Sequence, residues 1–286
     1  MERAFHHCGA LAVPLSEQQL AEFASTHAWR TPFDIAPRYL AGPGDARHVT
    51  HGLAAAGWIR TSDPLSPEIV LTSPDKRYRL QFAPQSATSA WWRLWAEPTD
   101  GTSWYAEFGE LVPAEILSAF TDALTAPLPS EQPDLFRTLG WAGWVIDTPN
   151  SAFSLDGMCH VELRTDLGDG SMPHWQVETT EPAPGILGAR IWHATFDEHA
   201  PAHLVDAFVT SLADPAPLQR GRYERTAHHS VVAKPSRPLT RQQVLDAHTT
   251  RLDALRTQAR AARRRQQPAT TTAPAPPTST SSALRR

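Results

Sequence analysis

The chain has 286 residues, 41% hydrophobic and 20% charged, with a net charge of −4. That is enough apolar material for a core in one or two domains. No apolar stretch approaches the ~18 residues of a membrane span. The first residues lack the basic-then-apolar pattern of a secretory leader, and Cys8 and Cys159 are too few for a disulfide framework. These features predict a cytoplasmic protein with no membrane association. The charge is uneven: residues 237–286 hold ten arginines against two aspartates, +8, so the remainder carries −12.

In chain order, Ser16 and Gln19 have the spacing of a capping box, and Leu20, Phe23 and Ala24 give the following helix an apolar side. Phe33 to Leu40 reads as extended between Pro32 and Pro37. Asp45 is placed as the N-cap of a short helix with Val49, Leu53 and Ala56 on its apolar side, closed by Gly57. Alternating runs then predict strands. Ile69-Val70-Leu71 leads into the turn Ser73-Pro74-Asp75; Tyr78, Leu80 and Phe82 share one face; so do Trp92 and Leu94, and Trp104, Ala106 and Phe108. Pro113 opens a helix carrying Ile116, Leu117, Phe120 and Leu124.

This order recurs. Between 104–124 and 192–212, nine of 21 positions are identical, among them Trp104/Trp192, Phe108/Phe196, Pro113/Pro201 and Phe120/Phe208. Upstream, Ala56-Gly57-Trp58 matches Ala142-Gly143-Trp144, Ser73 and Asp75 match Ser154 and Asp156, and Trp92 matches Trp175. A second helix with Leu135, Leu139 and Ala142, a strand with Cys159, Val161 and Leu163, and a final helix with Leu204, Val205, Phe208 and Leu212 follow. The fold class is therefore α+β: two tandem repeats, each an antiparallel sheet of four or five strands packed by a C-terminal helix. Residues 1–43 form an N-terminal helix and extended segment, 44–128 and 129–215 the repeats, and 216–239 a linker or extra strand, with an extended stretch expected over Arg222–Lys234. Residues 240–267 form a basic helix opened by a Thr240–Gln243 capping box, with Leu245, Leu252, Leu255 and Ala259 on one stripe, able to pair as a coiled coil. The Ala/Pro/Thr/Ser tail, 268–286, is expected to be disordered.

The run Pro37-Arg-Tyr-Leu-Ala-Gly-Pro-Gly-Asp45, the Ala-Gly-Trp after a short helix and Thr72-Ser-Pro-Asp-Lys-Arg-Tyr78 resemble the SPDY-domain family of actinobacteria, which often carries tandem copies. The resemblance spans about residues 37–215. The second copy departs from it, since Ser154-Leu-Asp156-Gly-Met-Cys159 lacks the proline and the tyrosine. The family implies no activity to transfer. If the signature binds something, Asp75 and Tyr78 of the first copy are the residues to do it; a tight hairpin turn explains the Ser-Pro-Asp just as well.

Two other groups attract interest. Trp91, Arg93 and Trp95 point opposite to the shared inward face, where the second copy has His174, Gln176 and Glu178; paired tryptophan and arginine are typical contact anchors, unless another element covers them. Arg256, Arg260, Arg263, Arg264 and Arg265 cluster at the end of the basic helix, where they suit the helix dipole and also phosphates or an acidic partner. No metal or cofactor is expected: His199 and His203 are split by Pro201, and neither His6-His7-Cys8 nor His228-His229 has a ligand spacing. No catalytic motif is present, so the leading expectation is a non-catalytic binding or adaptor protein with a protein partner. The alternatives are nucleic-acid association through the basic helix and an enzyme without a local motif. The last would need a deep pocket with converging polar groups of shifted pKa.

Overall fold

The computed structural model describes residues 15–28, 32–86, 90–97, 102–165, 172–182 and 188–266. The tail from 268 and the His6-His7-Cys8 group lie outside them. The N-terminal flank is α1 (Glu17–His27), β1 (Pro32–Ala36) and a 3-10 turn (Arg38–Leu40). The first copy runs α2 (Arg47–Ala55), β2 (Ile59–Arg60), β3 (Ile69–Thr72), β4 (Tyr78–Phe82), β5 (Ala90–Ala96), β6 (Trp104–Gly109) and α3 (Ala114–Ala123). The second runs α4 (Leu135–Trp141), β7 (Val145–Thr148), β8 (Ser151–Phe153), β9 (Cys159–Arg164), β10 (His174–Thr180), β11 (Arg190–Asp197) and α5 (Ala202–Ala213). Then come β12 (Leu218–Gly221), β13 (Val232–Pro235) and α6 (Arg241–Gln266).

Each copy thus contributes five antiparallel strands, and the two sets join edge to edge. The strand order is β2-β3-β4-β5-β6-β11-β10-β9-β8-β7. The last strand of each copy meets its counterpart antiparallel at the centre, with Ala194 opposite Phe108 and Phe196 opposite Ala106. The duplicated sequence therefore reads outward from an approximate twofold axis. Around that axis Phe108, Phe120, Phe196 and Phe208 are all buried. Their ring centroids lie 5.3 to 5.5 Å apart, largely edge to face, a geometry that adds ~0.5–1.5 kcal/mol per pair beyond area burial. Trp104 and Trp192 are buried in matching positions on either side.

The described helices stand on one side of this sheet: α2 to α5 line the core, α6 packs on α2, and α1 packs on α6. The opposite sheet face alternates with the buried one, so that along β5 Trp92 and Leu94 are buried while Trp91, Arg93 and Trp95 are half-buried.

The flanks differ from the sequence reading in three places. Asp45 is not the N-cap of α2: Ala46 holds that position, and Asp45 instead accepts the Arg47 amide at 2.9 Å. The extended stretch after Phe33 stops at Ala36 and tightens into the 3-10 turn. Over Arg222–Lys234 only the end is strand: β12 comes earlier, and a turn closed by the Glu224 amide on the Gly221 carbonyl (2.9 Å) separates it from β13. These two strands flank β1 in the order β12-β1-β13, so the N-terminal segment and the chain beyond the repeats fold together. The stripe on α6 is used within the chain. Leu252, Leu255 and Ala259 are buried, and Leu245 packs with Phe23 and Val244, so the surface that could have paired as a coiled coil is covered.

Candidate functional site

The signature turn is built identically in both copies. Ser73 Oγ donates to the Asp75 carboxylate (2.6 Å) and accepts the Tyr78 amide (3.0 Å), and Asp75 also accepts the Arg77 amide (3.2 Å). In the second copy Ser154 donates to Asp156 (2.6 Å), the Cys159 amide to Ser154 (2.9 Å) and the Met158 amide to Asp156 (3.0 Å). The residue after each aspartate is left-handed: Lys76 at φ 61° and Gly157 at φ 70°. The serine and aspartate therefore satisfy the backbone of a hairpin turn.

The signature tyrosine has another role. Tyr78 lies between Trp58 and Trp104, with ring centroids 6.3 and 6.1 Å away. Its counterpart is Cys159, buried and too small for that space, with burial pushing the thiol up to about 12. Tyr39, from the 3-10 turn, takes the place. Its ring meets Trp144 edge to face at 6.2 Å, its carbonyl accepts the Trp192 indole N–H at 2.8 Å, and its hydroxyl donates to Asp156 at 2.8 Å. Beside Asp75 and Tyr78 lies a hollow of about 210 Å³, closed on its far side by Ala259, Ala262 and Arg263 of α6.

On the open sheet face, Trp95 stands beside Tyr105 (5.6 Å) with the Arg79 guanidinium 5.9 Å from its ring. Arg93 lies opposite Glu107 in the ladder. Tyr105 donates to Glu107 (2.9 Å), and His193 of the second copy approaches the same carboxylate at 3.3 Å. The His193 hydrogen bond, then that of Tyr105, holds Glu107 below the usual carboxylate range. Trp91 departs from this row: the ladder slips between Ala90 and Trp92, and Trp91 packs edge-on against Phe82 at 6.3 Å.

The arginines of α6 divide. Arg256 pairs with Asp253 at 2.6 Å. Arg263 reaches the Ala56 carbonyl at 3.1 Å and so places a cation at the C-terminus of α2. Arg260, Arg264 and Arg265 are exposed.

The sequence reading missed a further site. A cavity of about 340 Å³ opens where α1, α2, α3, α6 and β12 meet. His48 and Glu115 come from the first copy, Arg220 from β12, and His248 and Arg251 from α6. Arg220, 3% exposed, forks onto Glu115 (2.6 and 2.9 Å) and gives its other donors to the Ala41, Gly42 and Gln219 carbonyls. Arg251 forks onto Asp122 (2.9 and 2.8 Å) and caps the His48 carbonyl. Phe23 stacks on His248 at 3.9 Å, and His248 shares a 3.1 Å hydrogen bond with His51. Burial lowers all three imidazoles: His48 in direction, His51 to about 4 and His248 to about 3. Burial alone would raise Glu115, but the Arg220 guanidinium paired with it holds it below the usual range. Among the described residues no group of three or more His, Cys, Asp or Glu has a metal-binding arrangement, and no helix is long and apolar enough to cross a membrane.

No curated protein and no solved structure matches the chain. The family model described as SPDY, a domain of unknown function (DUF317), matches residues 72–130 and 153–218. The first segment begins at the signature turn of copy one and the second just before that of copy two, and each runs through the closing helix. The two matched stretches, one in each copy, are similar to the SPDY family and agree with tandem repeats.

Proposed function

We propose that this protein is a non-catalytic binding or adaptor protein of the cytoplasm that recognises a protein partner through the open sheet face of its first copy. The observation that carries this reading is the half-buried Trp95 beside Tyr105, flanked by Arg79 and Arg93, on a face where the second copy has Gln176 and Glu178. Folding the repeat does not need these aromatics, because the second copy folds with polar residues there. Rigid aromatic side chains next to a guanidinium are the residue types that dominate binding energy at protein interfaces. Trp91 supports the rim of the face through Phe82. Asp75 and Tyr78 serve the turn and the core. The test is a comparison of proteins captured from native lysate by the full chain and by an Arg93→Ala/Trp95→Ala variant of unchanged circular dichroism. Loss of specific partners is expected; an unchanged set would overturn this assignment.

Nucleic-acid association through α6 is a second reading, favoured by the exposure of Arg260, Arg264 and Arg265. It predicts salt-dependent retardation of nucleic acid that is lost in an Arg260→Glu/Arg264→Glu/Arg265→Glu variant. Equal retardation by that variant would exclude this route.

A further inference from the structure

We infer that the cavity between α1, α2, α6 and β12 is a binding site for a small, uncharged, planar heteroaromatic molecule of about purine size, held by His48. This inference stands apart from the proposed interface, which lies on the other side of the sheet.

Size comes first. About 340 Å³ falls in the lower part of the range of small-molecule sites. The walls come next. Leu218, Leu239 and Val244 supply aliphatic surface, and Phe23, His27, His48 and His248 supply ring surface. Such walls favour a flat apolar body.

Charge then decides between ligand classes. The two arginines at the cavity are already matched. Each N–H of Arg220 is taken by Glu115 or by a backbone carbonyl, and Arg251 is forked onto Asp122. A phosphate or carboxylate entering here would displace a bidentate ion pair to gain another, which leaves no advantage to set against its desolvation. His48 and His248 are held neutral by burial. The cavity therefore selects against anions.

His48 supplies the polar handle. Its Nε2 lies 3.8 Å from Glu115 Oε1, beyond hydrogen-bond range, and that carboxylate is committed to Arg220. Among the described residues neither ring nitrogen of His48 has a hydrogen-bond partner. A neutral imidazole offers one donor and one acceptor, which fits a ring carrying both an N–H and a ring nitrogen.

The test is calorimetric titration of the full chain with three probes: benzimidazole, adenine and adenosine monophosphate. The first two are expected to bind saturably at one site, and the monophosphate at least about tenfold more weakly than adenine. His48→Phe keeps the ring and removes both nitrogens, so it should weaken adenine about tenfold. Val244→Trp should abolish binding by filling the cavity. Ala247→Trp, at an exposed lining position, does the same if the first variant fails to fold. The Arg93→Ala/Trp95→Ala variant should bind like wild type. The inference is overturned if neither uncharged probe binds, if the monophosphate binds more tightly, or if a folded cavity-filling variant binds unchanged.

Discussion

Tyr39 donates its hydroxyl to Asp156 at 2.8 Å from a segment outside the second repeat. It thereby supplies the phenol that Cys159, standing where the first copy has Tyr78, cannot. Both copies keep a phenol against the tryptophan that follows the short helix, Tyr78 on Trp58 and Tyr39 on Trp144, with the phenol drawn from different parts of the chain. Tyr39→Phe removes one hydrogen bond and should cost about 1 kcal/mol. Tyr39→Ala empties the space beside Trp144 and should cost about 3–5 kcal/mol. Urea denaturation checks both; a Tyr39→Ala midpoint equal to wild type would refute the replacement.

The Arg220–Glu115 pair ties β12 to α3 across the base of the cavity. Glu115→Gln keeps the shape and leaves a guanidinium only 3% exposed without its counter-charge. Removing one partner of such a pair costs about 3–5 kcal/mol. The expected result is a large drop in denaturation midpoint; a loss below about 1 kcal/mol would mean that Arg220 finds water or another partner.

The imidazoles beside the cavity make stability depend on pH. His51 and His248 titrate near 4 and 3 in the fold against an ordinary value of 6.5, because of burial and then, for His51, Arg47, and for His248, its histidine neighbours and Arg251. The unfolded chain therefore takes up protons first as pH falls. Their contribution is complete above pH 6.5, declines below it, and is exhausted once the folded-state values are passed. Asp45 faces His51 and opposes the shift, while Asp122, pushed up by burial, acts in the opposite sense at lower pH. The urea midpoint should fall between pH 7 and pH 5, and less steeply in a His51→Phe/His248→Phe variant. A pH-independent midpoint over that range would contradict this.

Much of the fold was legible because local pattern and burial coincide. Trp104, Ala106 and Phe108 alternate with Tyr105 and Glu107, and the same alternation returns at Trp192, Ala194 and Phe196, so one period identified both strand and repeat. The capping boxes at Ser16 and Thr240 were readable for a similar reason, since a cap is a bond between near neighbours. The junction of β6 with β11 was not, because nothing in either strand specifies which edge its partner will use. Ala142 and Ala56 occupy the same position in the repeat, yet only Ala56 is buried, because α6 packs on α2 and, among the described residues, has no counterpart on α4. The cavity was equally hidden. His27, His48, Glu115, Arg220 and His248 come from five elements spread over 222 positions, and only the spacing of His48 and His51 on one helix face hinted at it.

Scanning calorimetry of the full chain and of Phe208→Ala tests most directly whether the two copies share one core and one sheet. A single transition is expected for the wild type, shifted as a whole by roughly 10 °C in the variant, because the Phe208 ring of the second copy lies 5.5 Å from that of Phe108 of the first. Two separate transitions, with only one of them moved by the substitution, would contradict it.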